Sequence, residues 1–269
     1  MKRALIFAAG LGTRLKPITD TVPKALVEVG GEPLLQRIIM KLKKAGVEEI
    51  VINIHHFASQ IVDFVKKNGS FGLKISFSDE TDLLRETGGG IRHAAPLLGN
   101  DSPFIVHNVD IISNLSIESL IAFHNSQSLS LGVEPLATLA VSGRDTKRYL
   151  LFRRDNSLAG WMNIETGQVR SPFKELVREP SEEAHNSVEE FLKEHDLSRL
   201  AFAGIHYISP KIFSLMESWP EKFSVIDFYL SVCNKYPVFA YEAPDLKLID
   251  VGKLSSLEEA EKSYVYFQS

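Results

Sequence analysis

An apolar run, Ala4–Ala8, passes directly into Gly10-Leu11-Gly12, and the next stretch is held extended by Pro17 and Pro23 until Lys24 is reached. No other feature constrains the fold as much. A strand that ends in a glycine turn exposes backbone N–H groups. With Arg14 and Lys24 following them, those groups are suited to hold a polyphosphate at the carboxyl end of the strand.

The rest of the first half repeats strand and helix signals. Apolar residues at 34, 35, 38, 39 and 42 predict a helix over 33–45, ended by Gly46. Strands are expected at 49–54, 74–77, 104–109 and 137–141. Helices are expected at 59–67, 90–98 and 117–126. This rhythm predicts an α/β protein, a Rossmann-like mixed, mainly parallel sheet with helices on both faces. Ligands of such sheets bind beyond the carboxyl ends of the strands, where Gly10–Arg14 and Asp110 both fall.

The second half reads differently. A β-hairpin is expected over 149–167 with its turn near Asp155-Asn156. A strand should lie at 202–208, a helix start at 210–217, a helix at 224–236, a strand at 238–242 and an extended segment at 247–251 carrying Asp250. A last helix is expected at 257–263, and the acidic run 181–196 should be a helix or an exposed insertion. With no repeat and no low-complexity linker, residues 1–269 are expected to form one domain, 1–145 and 146–269 being its two halves.

Charge and composition narrow the function. A net charge of −4 does not suit a broad nucleic-acid surface but leaves room for a local basic pocket. The single Cys233 excludes an intrachain disulfide and a cysteine-rich zinc site. The apolar run near the N-terminus is too short for a signal peptide, and no stretch reaches the length of a membrane span. A cytoplasmic protein with no membrane partner is expected. His55-His56 is a poor metal pair, because neighbours on extended chain point apart. His107 and Cys233 read as core residues.

Three phosphate motifs compete for residues 10–24. The P-loop run G-x-x-x-x-G-K-[ST] is absent, and the dinucleotide fingerprint would need a glycine where Leu15 stands. The third pattern, G-x-G-T-R followed by P-K, is present in full as Gly10-Leu11-Gly12-Thr13-Arg14 and Pro23-Lys24. This segment resembles the signature of the sugar-1-phosphate nucleotidylyltransferases. The resemblance continues through Pro33-Leu34-Leu35, Glu49–Asn53, ETGGGI at 86–91, Asn108-Val-Asp110, FAGIHYI at 202–208 and Asp250-Val251-Gly252. Residues 170–200 match nothing in it. Within the family, ETGGGI, the short length and the closing DVGK look like the N-acetylmuramate 1-phosphate uridylyltransferases of cell-wall synthesis, and short mannose-1-phosphate guanylyltransferases look similar.

The resemblance implies the nucleotide-diphospho-sugar transferase fold and the reaction of an NTP with a sugar 1-phosphate to give an NDP-sugar and pyrophosphate. UTP and N-acetylmuramate 1-phosphate are the favoured substrates. GDP-mannose formation, cytidylyl transfer to an alcohol phosphate, and an inactive nucleotide-sugar sensor are the alternatives. Arg14 would hold the leaving pyrophosphate and Lys24 the α-phosphate and the incoming phosphate, completed by the backbone of Leu11, Gly12 and Thr13. Asp110 and Asp250 would hold Mg²⁺. Ala8, Gly10, Gly88 and Gly89 are expected at the nucleoside, with a flat base lying on the glycine backbone. Leu83 and Leu84 stand where some relatives carry a base-reading glutamine. Asn108, Tyr149, Gly204 and Asp227 are expected on the sugar side. The family's E-K-P motif is absent, and Arg178-Glu179-Pro180 or Lys174 are the basic substitutes on offer.

Overall fold

A computed structural model describes residues 1–263. Four parallel strands form the floor of the first half in the order Phe104–Asn108, Arg3–Phe7, Glu49–Ile54, Lys74–Asp79. Such strands are buried on both faces, so they read as near-continuous apolar runs, and their side chains alternate between two cores. Ala4 and Ile6 join one core with Ile50, Ile52 and Ile105, under the helices Leu34–Lys44 and Ala58–Lys67. Leu5 joins the other with Val51, Phe104 and Val106, against the helix Val225–Val232. The helix Leu34–Lys44 buries Leu34, Leu35, Ile38, Ile39 and Leu42, each contributing about 1.5–3 kcal/mol.

The second half extends the same sheet with antiparallel strands. Ser198–Ile208 is the hinge of the architecture. It pairs with Phe104–Asn108 through its second part, with Arg148–Phe152 through its first, and with Ala137–Ser142 on the way. Val238–Glu242 adds in parallel beside Ala137–Ser142. The expected hairpin gains a third strand, Gln168–Arg170, beside Leu158–Asn163, and Asn156 turns it at φ 65°. The expected mixed α/β sheet is therefore present, with ten strands among the described residues and its parallel strands central to the first half.

Several boundaries move. The helix expected at 90–98 begins at Glu86 and splits into Glu86–His93 and Ala95–Leu98. The helix expected at 117–126 runs to Leu131, and the last one starts at Leu254. The acidic run is no loose insertion. It folds into two short helices, Glu182–Asn186 capped by the Ser181 hydroxyl, and Val188–Glu194. Val188, Phe191 and Leu192 pack on Leu151, Met162 and Val169 as a third, smaller core. Gly167 at φ 67° permits this, because a Cβ there would overlap the backbone of Ala184. No helix among the described residues is long and apolar enough to cross a membrane.

Candidate active site

Register places the functional residues. Phe7 lies opposite Asn53 on one side and Asn108 on the other, so three strands end level at one rim. The chain leaves that rim at Ala8, and the N–H groups of Ala8 and Ala9 both donate to Asn53 Oδ1, at 2.6 and 3.1 Å. Asn53 Nδ2 donates to Glu80 Oε1 at 3.0 Å, and Glu80 Oε2 accepts from the Arg85 N–H at 3.0 Å. Asn53 and Glu80 are both buried. This relay ties the first loop to the loop after Lys74–Asp79. Nothing local in the sequence announces it beyond a polar residue late in each apolar strand.

The glycine turn is then folded tightly. Gly12 sits at φ 65°, and its carbonyl accepts from the Leu15 N–H and the Thr19 hydroxyl, both at 2.8 Å. A Cβ at Gly12 would lie 2.8 Å from Thr19 Cγ2, so glycine is required twice over. Leu11, Thr13 and Arg14 remain exposed.

Lys24 forms a salt bridge with Asp110, their side chains 11% and 19% exposed. Asp250 joins them through the backbone. Leu248–Asp250 pairs antiparallel with Ile111–Ser113, and the Val251 N–H donates to the Asp110 carbonyl at 2.8 Å. Gly252 leaves room for the neighbours: a Cβ there would lie 2.7 Å from an Arg14 guanidinium nitrogen and 2.8 Å from Asp250 Oδ1. Burial holds the Asp250 carboxyl above its ordinary range, and the charge of Asp110 adds to this. Lys24, Arg144 and Arg14 act in the opposite sense. Asp250 Oδ1 is buried without a hydrogen-bond partner. An orphaned carboxylate oxygen beside a second carboxylate fits a divalent cation that also takes ligands from a phosphate.

Beside this group lies a cavity of about 250 Å³, lined by Gly10, Lys24, Leu84, Thr87, Asn108 and Asp110 among others. A larger groove of about 940 Å³ runs along Leu34–Lys44, but neither aspartate lines it, so volume alone does not mark the site. Among the described residues no cluster of three or more metal-ligating side chains occurs.

The remaining expected residues divide. Gly204, at φ 70° in an irregularity of its strand, lies against Asn108, whose Nδ2 would be 2.7 Å from a Cβ there. These two stay with the site. Gly88 and Gly89 do not offer an open backbone platform. They are buried inside the helix Glu86–His93, where a Cβ on Gly88 would overlap the Phe223 ring and one on Gly89 the Glu221 carbonyl. Their N–H groups both donate to the Phe223 carbonyl. Close helix packing is what requires glycine there. Tyr149 is buried, its hydroxyl accepting from the Thr146 N–H at 3.0 Å and its ring lying under Arg199. Asp227 pairs with Arg170 at 2.6 Å. Arg178 donates to the Ser187 hydroxyl at 2.7 Å and covers the Phe191 ring, so the acidic helices take it up. Lys174 is exposed in a short turn. His55 bonds the Glu80 carbonyl at 2.6 Å, while burial pushes the Cys233 thiol up to about 12, an unreactive state.

A family model described as nucleotidyl transferase matches residues 3–265. The chain belongs to the nucleotidyl transferase family. An N-acetylmuramate alpha-1-phosphate uridylyltransferase of Neisseria meningitidis serogroup B is 42% identical over 127 residues, 47% of this chain and 54% of that protein. A mannose-1-phosphate guanyltransferase of Kluyveromyces lactis is 40% identical over 126 residues, 46% of this chain and 35% of that protein. The match thus spans about half the length of such relatives, or less. The fold is shared with a solved UDP-glucose pyrophosphorylase from Acinetobacter baumanii, with a TM-score of 0.71 at 18% identity, over 98% of this chain and 93% of that one. This nucleotidyl transferase therefore keeps the family's fold along nearly its whole length.

Proposed function

We propose that the chain transfers a nucleotidyl group from an NTP, UTP favoured, to a sugar 1-phosphate, N-acetylmuramate 1-phosphate favoured, releasing pyrophosphate. The observation that carries this reading is the meeting of Lys24–Asp110 with Asp250 near the Gly10–Arg14 turn, beside a cavity of about 250 Å³ that Gly10, Lys24 and Asp110 line. The first half holds the nucleotide and the second half the sugar phosphate.

The acceptor phosphate is already ionised at neutral pH, so its oxygen attacks the α-phosphorus without a general base. The new P–O bond forms as the bond to the bridging oxygen breaks, and the electron pair leaves with pyrophosphate. The chain's task is alignment and charge neutralisation. Arg14 offers its guanidinium to the leaving pyrophosphate, and Lys24 its ammonium to the α-phosphate. Asp110 and Asp250 would hold Mg²⁺, which when bound offsets phosphate charge. Identity to a uridylyltransferase supports UTP; comparable identity to a guanyltransferase keeps GTP and mannose 1-phosphate as the second reading.

A pyrophosphate-release assay across four NTPs and a panel of sugar 1-phosphates, with Mg²⁺ or EDTA, tests this. Turnover is expected with one NTP strongly preferred, and only with Mg²⁺. Absence of release from every pair refutes the activity.

A further inference from the structure

We propose that Arg144 receives the phosphate of the acceptor sugar 1-phosphate. The proposal rests on the transfer reaction above and assigns a residue that no motif marks.

Arg144 lies two residues past the strand Ala137–Ser142. Ser142 is paired near Ala201, and the partner strand then breaks register between Phe202 and His206 before Ile205 meets His107. The turn after Ser142 therefore comes back over the irregularity, on the rim that carries Asn108 and Gly204. Arg144 Nη2 donates to the Phe202 carbonyl at 3.2 Å, which anchors the guanidinium at that point. Phe202 stands two residues before Gly204, which lies against Asn108, so Arg144 joins Arg14 and Lys24 as a third cation on the loops at this rim.

Their engagements differ. The Lys24 ammonium is held by Asp110, and the Arg14 guanidinium lies against Gly252. Arg144 has its Nε buried with no hydrogen-bond partner. A guanidinium cannot shed its charge, and an unsatisfied buried donor is unfavourable. Such a group persists where an anion completes it. A phosphate monoester suits it, because the planar fork matches phosphate oxygens and the dianion needs positive charge to approach two carboxylates. Arg178 also has an unpartnered buried nitrogen, Nη1, but its guanidinium donates to Ser187 and covers Phe191 of the third core rather than the rim, and Lys174 is exposed in the turn Lys174–Leu176.

A purely structural Arg144, clamping the Phe202 carbonyl, would affect both substrates alike. Steady-state pyrophosphate release by the full chain separates the two roles. In Arg144→Ala the KM for the sugar 1-phosphate should rise about 30-fold while the KM for the NTP stays within about twofold, the loss of one charge-assisted contact. Arg144→Lys, which keeps the charge, should recover part of that rise and guards against a misfolded alanine variant. Run in reverse, the KM for the NDP-sugar should rise and that for pyrophosphate should not. A parallel rise in both forward constants, or no rise in a folded variant, overturns the assignment while wild-type turnover leaves the reaction standing. If the wild type releases no pyrophosphate from any pair, both fall together.

Discussion

The backbone N–H of Val251 donates to the carbonyl oxygen of Asp110 at 2.8 Å. This one bond continues the antiparallel pairing of Leu248–Asp250 with Ile111–Ser113 past its end, and it brings together two carboxylates that are far apart in the sequence. Asp250 is left half-buried beside Asp110, with its Oδ1 buried and unpartnered, in a position that disfavours its ionised form.

Asp250→Asn should therefore separate stability from activity. The amide removes a half-buried carboxylate whose ionised form the fold disfavours, so stability toward urea in EDTA should increase, by up to about 1 kcal/mol. Turnover should fall by about 100-fold or more. Equal stability in wild type and variant would remove the conflict inferred at this residue.

Lys24→Met leaves Asp110 without its partner and, in the proposed reaction, the α-phosphate without an ammonium. A rate loss of about 100-fold or more is expected, with far-UV dichroism unchanged. Normal turnover would show that the salt bridge is structural only.

Asn53 connects the first loop to Glu80 by three hydrogen bonds. Asn53→Ala orphans two backbone N–H groups and a buried carboxylate oxygen, which should destabilise the fold by about 2–4 kcal/mol and raise the KM for the NTP, because the turn at Gly10–Gly12 loses its anchor. Urea melts and steady-state kinetics read the two effects; a variant as stable as wild type would contradict the relay.

Gly89→Ala distinguishes packing from base binding. The added methyl overlaps the Glu221 carbonyl, so destabilisation of about 2 kcal/mol or more is expected. A variant of full stability with a raised KM for the NTP would restore the nucleoside role at Gly88–Gly89.

Acid sensitivity follows from three buried histidines. Burial holds His107 and His206 down to about 3 and His124 to about 4, below the ordinary 6.5. Below 6.5 the unfolded chain takes up protons that the folded state refuses. Stability from these groups is complete above 6.5 and is lost as pH falls, by up to about 1.4 kcal/mol per pH unit for each histidine. The urea midpoint should drop between about pH 7 and pH 5, and more shallowly in His124→Gln. A flat profile would contradict burial in the neutral form.

The sequence by itself determined the strand–glycine turn–extended loop at Ala4–Lys24, the α/β alternation, and Asp110 and Asp250 at strand ends. These are legible because side-chain period, glycine freedom and proline rigidity act over a few residues. Only the tertiary structure decided that Asn53 and Glu80 anchor the first loop, that Gly88 and Gly89 serve helix packing, that Tyr149 is enclosed by Thr146 and Arg199, and that Asp227 belongs to Arg170. It also turned the acidic run into a packed cap on the hairpin and anchored Arg144 to the Phe202 carbonyl. Each of these depends on which strands neighbour one another and in what register. That choice is made by burial of whole strand faces rather than by any local stretch of chain.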